Sequence, residues 1–364
     1  MMAAPVLAVG DKAPFCFGLT GAGVFYSFQD QTGRPAAVIL APSLETPGLA
    51  GLVEAFAARL GDFAACEADV RLVVSQDVVT VCQRHLVSPA LVTTIAGNAE
   101  FFQRCGLAGD AVIVLAIDRD QRVIGRFAPS HSSVAAALAA LTAVPREAPC
   151  DIVAPAPVLM VPYLLAPEQC RALIARHEAG GNFDSGFAGV DAAGAPQYKI
   201  DYAKKKRRDH LIAADDPMHA ELRDALLRRC APEIKRAFQV EVSHIDRLLI
   251  GRYDDDGCFF RRHRDNAQAS LAFRQFAISV NLNAEDYDGG ELLFPEYNSH
   301  RYRPGTGTGL IFSASLLHEA APVLRGSRYV LLSFLHSAEA EARRRACLAS
   351  AAPSGAVSAG AAPL

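Results

Sequence analysis

Residues 259–268 read "FFRRHRDNAQ", and the reading of that run decides what the rest of the chain must build. Two aromatics, three arginines, a histidine and an aspartate in ten residues fit a solvated basic patch, the catalytic loop of a kinase, or half of a metal site. A kinase loop needs an asparagine five residues after its aspartate to hold magnesium. Five after Asp265 stands Ser270, no Gly-rich phosphate loop precedes it and no DFG follows, so the kinase reading fails. The basic patch has more support, because "KKKRR" (204–208) lies upstream. Such runs are usually solvated surface, but they can also line the mouth of a cleft that accepts an acidic substrate.

The metal reading starts from His263 and Asp265. On a strand, residues two apart project to the same face, so an imidazole and a carboxylate there can bind one ion. The pair alone is weak evidence, because HxD arises often by chance. A third ligand is available in His318, in "FSASLLHEAAPV" (312–323) just after an apolar run. Two histidines and a carboxylate make the facial triad of non-haem iron(II) oxygenases, which leaves coordination positions open. Arg328 opens the run "RYVLLSFL", and its rigid two-pronged donor set suits a distal carboxylate. Each residue also has a plainer reading: a surface histidine, a strand-end histidine, a salt-bridge arginine.

HxD, then "NLN" (281–283), "GGELLFPE" (289–296), His318 and Arg328 ten residues later together resemble the iron(II)/2-oxoglutarate dioxygenases, in their prolyl-hydroxylase-like branch. The resemblance covers roughly residues 157–337. It implies a double-stranded β-helix, or jelly roll, with Fe(II) as cofactor and 2-oxoglutarate and O2 as cosubstrates. By the same resemblance, His263, Asp265 and His318 would ligate iron and carry catalysis. Arg328 would pair with the C5 carboxylate of 2-oxoglutarate, and Tyr253 would face the cosubstrate pocket. Asn281 stands where the family often has a tyrosine, and is grouped with Arg328 and Tyr253 as cosubstrate-binding. The implied reaction hydroxylates an unactivated C–H bond and releases succinate and CO2. A peptidyl or amino-acid side chain is the expected substrate, with a small metabolite also open. The loops 183–212 and 266–275 are expected to choose it.

The first 146 residues read differently. "PAAVIL" (35–40) and "VRLVVSQ" (70–76) are short apolar runs suited to buried strands, "LAGLVEAFAARL" (49–60) has helical periodicity, and "AVIVLAIDRDQRVIGRF" (111–127) is a hairpin signal. "HSSVAAALAALTAV" (131–144) is a helix with serine available to cap it. An α/β sandwich follows. "VGDKAPFCF" and "VILAPSLETPGL" are similar to the start of peroxiredoxins and related thioredoxin-fold proteins. Their PxxxTxxC pattern finds Pro42 and Thr46 but Leu49 in place of the cysteine, which implies a redox-inactive domain used for packing, dimerisation or substrate presentation.

Proline-rich 144–158 breaks the α/β pattern. The expected organisation is a thioredoxin/peroxiredoxin-like domain at 1–146, an oxygenase domain at 147–337 and a flexible tail at 338–364. Within the second domain, 219–238 reads as an amphipathic helix interrupted near Pro232, and 276–283, 290–297, 309–315 and 328–336 read as strands.

The 364 residues are 51% hydrophobic and 21% charged, with net charge −3. This is a globular balance and argues against a protein that coats nucleic acid. Nine widely spaced cysteines without a CxxC suit reduced thiols better than a disulfide framework or structural zinc. With no secretory signal and no uninterrupted apolar span, a cytoplasmic protein with no membrane partner is expected. A homodimer through the first domain is a further possibility. Two other functional readings stay open: a non-catalytic metal- or ligand-binding β-barrel with a thioredoxin-like interaction domain, and a thiol peroxidase.

Overall fold

The computed structural model describes residues 6–20, 23–28, 32–75, 93–96, 99–146, 148–190 and 196–351. The chain divides into two compact units, Met1–Pro149 and Cys150–Leu364.

The first unit is built on one mixed sheet of seven strands. These are β1 (Phe17–Thr20), β2 (Phe25–Ser27), β3 (Ala36–Ala41), β4 (Asp69–Val74), β5 (Thr93–Ala96), β6 (Ile113–Ile117) and β7 (Val123–Phe127), in the order β2-β1-β5-β4-β3-β6-β7. All six residues of β3 are buried, which explains its continuous apolar run: both of its faces are covered. One face packs Ile39 and Ala41 against Leu49, Phe56 and Leu141 from helices Leu49–Ala57 and His131–Thr142. The other packs Val38 and Leu40 against Phe28, Phe101 and Cys105. The β6–β7 turn is closed by the Asp118 carboxylate, which accepts from the N–H groups of Asp120 and Arg122. Ser130 caps the helix that follows, accepting from the N–H of Ser133. The opening hairpin β1–β2 and the short β5 are additions to what the sequence pattern predicts.

Strand dominates the second unit, as the sequence predicts. Its strands are β8 (Val158–Val161), β9 (Phe183–Asp184), β10 (Phe187–Val190), β11 (Pro196–Lys199), β12 (Lys205–Lys206), β13 (Arg208–Ile212), β14 (His244–Ile245), β15 (Leu248–Asp254), β16 (Phe259–His263), β17 (Phe276–Asn281), β18 (Asp288–Gly289), β19 (Leu292–Leu293), β20 (Gly309–Ser313), β21 (His318–Ala320), β22 (Val323–Arg325) and β23 (Ser327–His336). Eight of them form one sheet, in the order β8-β20-β17-β23-β15-β13-β9 with β14 also paired to β23. A second sheet runs β12-β16-β21-β19.

Alternation along β23 divides the core in two. Tyr329, Leu331 and Leu335 join Leu173, Leu222, Leu226 and Ile234, on helices Pro167–Glu178 and Pro217–Phe238. Val330 and Phe334 join Tyr253, Ala277, Leu310 and Phe312 from the same large sheet and Ala320 and Leu292 from the smaller one. The helices therefore cover one face of the large sheet and leave the other face for the site.

Two expectations need correction. The helix at 217–238 runs without a break through Pro232. Leu222, Leu226, Cys230 and Ile234 lie on one buried stripe on both sides of the proline, and their packing outweighs the local loss of one backbone hydrogen bond. The strand expected over 290–297 shrinks to Leu292–Leu293, because Gly290 has positive φ and Pro295 cannot donate to a ladder. Of the tail, residues 338–351 are helix, and 352–364 lie outside the described residues.

Leu331 is 1% exposed at the centre of the helix-covered face. Leu331→Ala is expected to cost about 2–5 kcal/mol, read as a lower denaturation midpoint.

Candidate metal centre and anion pocket

Strand β16 runs antiparallel to β21, and their register sets His263 opposite His318. The imidazole centroids lie 4.2 Å apart. Each ring is oriented by its own backbone: Nδ1 of His263 donates to the Arg261 carbonyl at 2.8 Å, and Nδ1 of His318 to the Leu316 carbonyl at 2.9 Å. A carbonyl can only accept, so both Nδ1 atoms carry a proton, and both Nε2 atoms point inward. Phe260 stacks on His263 with centroids 3.5 Å apart, and Phe312 meets His318 edge-on.

Asp265 departs from the simple picture of a ligand pair on one strand. β16 ends at His263, and Asp265 sits in the turn beyond, anchored by its N–H to the Ala314 carbonyl at 2.9 Å. It still converges with the histidines, with Oδ1 3.4 Å from Nε2 of His263 and Oδ2 3.4 Å from Nε2 of His318. One ligand atom from each of the three residues lies within 4.8 Å of the others. Burial opposes ionisation of Asp265, but the facing imidazoles of His318 and His263 hold its carboxyl well below the usual range. Burial pushes His318 down to about 4, so its imidazole is neutral at physiological pH. Two imidazoles and one carboxylate, with hydrogen-bonded Nδ1 atoms fixing the rings, form a donor set that fits iron(II).

The pocket that this cluster lines has a volume of about 70 Å³. Its floor is the helix-free face of the large sheet. Arg328, 3% exposed, lies on β23 directly across from Tyr253 on β15. Its guanidinium stacks 5.2 Å from the Tyr253 ring centroid. It donates to Oδ1 of Asn281 at 3.2 Å and, at 3.4 Å, to Oγ of Ser279. Among the described residues it has no carboxylate partner. The Asn281 amide cannot turn over, because its Nδ2 donates to the Pro304 carbonyl at 2.7 Å. Asn281 therefore orients Arg328 and has no amide donor aimed into the pocket. Gly290 makes room for this arrangement: a Cβ there would lie 2.9 Å from Cδ of Arg328.

The basic residues sort in a way the sequence pattern only half shows. Arg262 pairs with Glu319 at 3.3 Å and Arg264 with Glu296 at 2.5 Å. Arg261 donates to the Ala203 carbonyl at 2.7 Å. All three are occupied away from the pocket. In "KKKRR", by contrast, Lys205 and Arg207 are buried and line the pocket with Arg247. Lys205, Arg207, Arg247 and Ser279 are absent from the candidates read from the sequence. The available signal is the spacing of two from Lys205 through Arg207 to Asp209, the period of a strand with one inward face. Arg207 makes two bonds to the Asp209 carboxylate, at 2.5 and 2.7 Å, and a third to the Tyr253 hydroxyl at 3.1 Å.

Neither the cysteine nearest the site nor the first buried cysteine of the other unit is activated. Burial pushes the thiol of Cys258 up to about 11, and that of Cys16 up to about 12. At neutral pH neither is the thiolate that a peroxidase requires. The eight cysteines among the described residues form no disulfide.

Comparison with known proteins adds the family. Residues 248–336 match the family model of the 2OG-Fe(II) oxygenase superfamily. A PKHD-type hydroxylase of Paracoccus denitrificans (strain Pd 1222) is 27% identical over 180 residues, covering 47% of this chain and 74% of that protein. A prolyl-4-hydroxylase structure from Pseudomonas putida aligns over 50% of this chain and 93% of its own, with 18% identity and a TM-score of 0.38. The peroxidoxin BcpB from Mycobacterium tuberculosis aligns over 38% of this chain and 99% of its own, with 18% identity and a TM-score of 0.34.

Burial opposes ionisation of Asp209, but Arg207, helped by Lys205, holds it down to about 2. Its folded value lies below the ordinary value of 3.8, so its contribution to stability is present above that value and lost as pH falls toward 2. Chemical denaturation of the metal-free protein is expected to show this loss below about pH 4. Asp209→Asn is expected to lack that component and to be about 3–5 kcal/mol less stable at neutral pH, because Arg207 is left buried and unpaired.

Proposed function

We propose that this chain, an iron(II)/2-oxoglutarate-dependent oxygenase of prolyl-hydroxylase-like kind, hydroxylates an unactivated C–H bond of an amino-acid or peptidyl side chain, with release of succinate and CO2. The observation that carries the reading is the convergence of His263, Asp265 and His318 within 4.8 Å, beside a buried arginine with no carboxylate of its own among the described residues. Bound iron(II) would supply the activation of O2, driven by oxidative decarboxylation of 2-oxoglutarate.

The chain's own residues have definable tasks in this reading. His263 and His318 present Nε2, with their tautomers set by the Arg261 and Leu316 carbonyls. Asp265 contributes the one negative charge among the three ligands. Arg328 receives the C5 carboxylate of 2-oxoglutarate in a two-pronged grip. Tyr253 supports the guanidinium through its ring face, and Asn281 holds the fork in place from behind. Phe260, Phe312, Leu332 and Phe334 make the surrounding wall apolar, which keeps water from the reacting C–H bond.

The two sheets of the second unit, with the site between them, support a double-stranded β-helix. The single mixed sheet of the first unit, covered on both faces, supports a thioredoxin-like domain, and Leu49 and the unreactive Cys16 support its being redox-inactive. The absence of disulfides among the described cysteines agrees with the reducing cytoplasm as the place of action. Among the described residues no helix is long and apolar enough to cross a membrane.

Protein purified without oxygen, then supplied with iron(II), 2-oxoglutarate and O2, is expected to release succinate even with no added substrate, at a slow uncoupled rate. His263→Ala should abolish this release and weaken binding of Mn(II), a redox-silent stand-in, by on the order of 100-fold. Wild-type protein that neither binds Mn(II) nor makes succinate would end the proposal. Arg328→Gln should raise the 2-oxoglutarate concentration needed for half-maximal rate at least tenfold while leaving Mn(II) binding unchanged. Equal demand for 2-oxoglutarate in the two proteins would remove Arg328 from its assigned role.

A further inference from the structure

The pocket holds more positive charge than 2-oxoglutarate and the triad use. Five cations line it or stand directly behind its wall: Lys205, Arg207, Arg247, Arg274 and Arg328. Three carboxylates face them. Asp209 is taken by Arg207, Asp246 by Arg274 at 2.6 Å, and Asp265 is set between the two histidines as a ligand for the metal. Iron(II) and the 2-oxoglutarate dianion cancel one another, so the loaded site keeps the same excess. With Arg328 assigned to the cosubstrate, Lys205 and Arg247 are left with no direct ion pair to a carboxylate among the described residues.

Their positions are specific. Arg247 immediately precedes β15 and lines the pocket, at a spacing of two before Leu249, Gly251 and Tyr253. Its Nε is buried and has no hydrogen-bond partner, and its guanidinium lies 6.0 Å from the Phe334 ring centroid. Lys205 is 4% exposed, donates to the Gly186 carbonyl at 2.8 Å, and stacks its ammonium 4.7 Å from the ring centroid of Phe260. Phe260 is the ring that stacks on His263, so this cation stands close to the reacting centre. Tyr253 is paired with Arg328, and Arg247 lies six residues before Tyr253. The backbones of the two arginines are therefore roughly 20 Å apart at the usual rise per residue. Arg247 and Arg328 thus enter the pocket from opposite ends of the β15–β23 pairing.

We propose that Arg247, assisted by Lys205, receives an oxyanion carried by the substrate itself, a carboxylate or a phosphate, so that this enzyme selects acidic substrates. The proposal rests on the oxygenase reading above, in which Arg328 belongs to 2-oxoglutarate. Lys205 is buried and Arg247 half-buried; covering a cation without a counter-charge is costly, and an arriving anion removes that cost, which turns the excess into binding energy and selectivity. Burial, and after it the neighbouring cations Arg207 and Arg274, push Lys205 well down and Arg247 down respectively, against the opposing pull of Asp209 and Asp265 on the first and of Asp246 and Asp209 on the second. Gly251 contributes room: a Cβ there would lie 3.1 Å from Cδ of Arg207, so the cationic row can pack along the floor.

The test is calorimetric titration of the full chain loaded with Mn(II) and saturating 2-oxoglutarate, using acetate and inorganic phosphate as separate probes at constant ionic strength. Wild type is expected to bind at least one probe at a single site, and the tighter one identifies a carboxylate or a phosphate as the substrate's acidic group. Arg247→Gln should weaken that binding at least tenfold and leave 2-oxoglutarate affinity within about twofold. Arg247→Lys, which keeps the charge, should retain most of it and thereby excludes misfolding as the cause. The proposal is overturned if neither probe binds the loaded wild type, or if Arg247→Gln binds as tightly as wild type, the mark of an adventitious ion only. It is also overturned if Arg247→Gln loses 2-oxoglutarate, because Arg247 would then belong to the cosubstrate. Failure of wild type to take up 2-oxoglutarate with Mn(II) strikes instead at the oxygenase reading and takes the anion site with it.

Discussion

The second unit depends on one antiparallel register, His263 opposite His318. That pairing brings two imidazoles from residues 55 apart in sequence to centroids 4.2 Å apart, and everything else in the site adjusts to it. The backbone carbonyls two residues before each histidine fix the rings. The Asp265 backbone docks on Ala314 at the end of β20, which carries the carboxylate back between the two Nε2 atoms. A slip of one residue between β16 and β21 would turn one imidazole to the far face of the small sheet and dissolve the cluster.

The second constraint is electrostatic. Burying arginines and lysines is tolerated only where each finds an anion, a π face or a carbonyl. The pocket solves this unevenly. Arg207 is fully satisfied by Asp209 and Tyr253, while Arg328, Lys205 and Arg247 are held mainly by aromatic rings and neutral oxygens. Uneven satisfaction of this kind costs stability in the empty protein and confers affinity for anions once they arrive. It also explains why the wall between the cations is aromatic: Tyr253, Phe260 and Phe334 stabilise positive charge without neutralising it.

Much of this is legible in the sequence. Runs such as "PAAVIL" and "RYVLLSFLH" announce buried strands, the Asp118–Gln121 turn announces a hairpin, and the serines at the start of 131–144 announce a helix start, though the structure gives the cap to Ser130. His263, Asp265, His318 and Arg328 can be named from type and spacing. Other features are not legible, for physical reasons. Pro232 looks like a helix break because propensity is local, while the stripe through Leu226, Cys230 and Ile234 that overrides it is a tertiary property. Asn281 looks like a pocket residue by position, and only its bond to the Pro304 carbonyl shows which end of its amide faces Arg328. The arginines of "FFRRHRDNAQ" draw attention by density, yet they lie outside, paired with Glu319, Glu296 and a backbone carbonyl.

Residue types and their intervals set the chemistry on offer: two histidines, one aspartate and one arginine that strands can gather, because ligand type and face alternation are properties of residues and of the extended backbone. Which charges are covered and which are answered follows from how the strands pack. Lys205 and Arg247 are 42 residues apart in the chain and share no motif. They line one cavity because β12 pairs along β16 while β15, which Arg247 leads into, lies in the opposite sheet, and counter-charge is a property of the space between two sheets, which no single run of residues encodes.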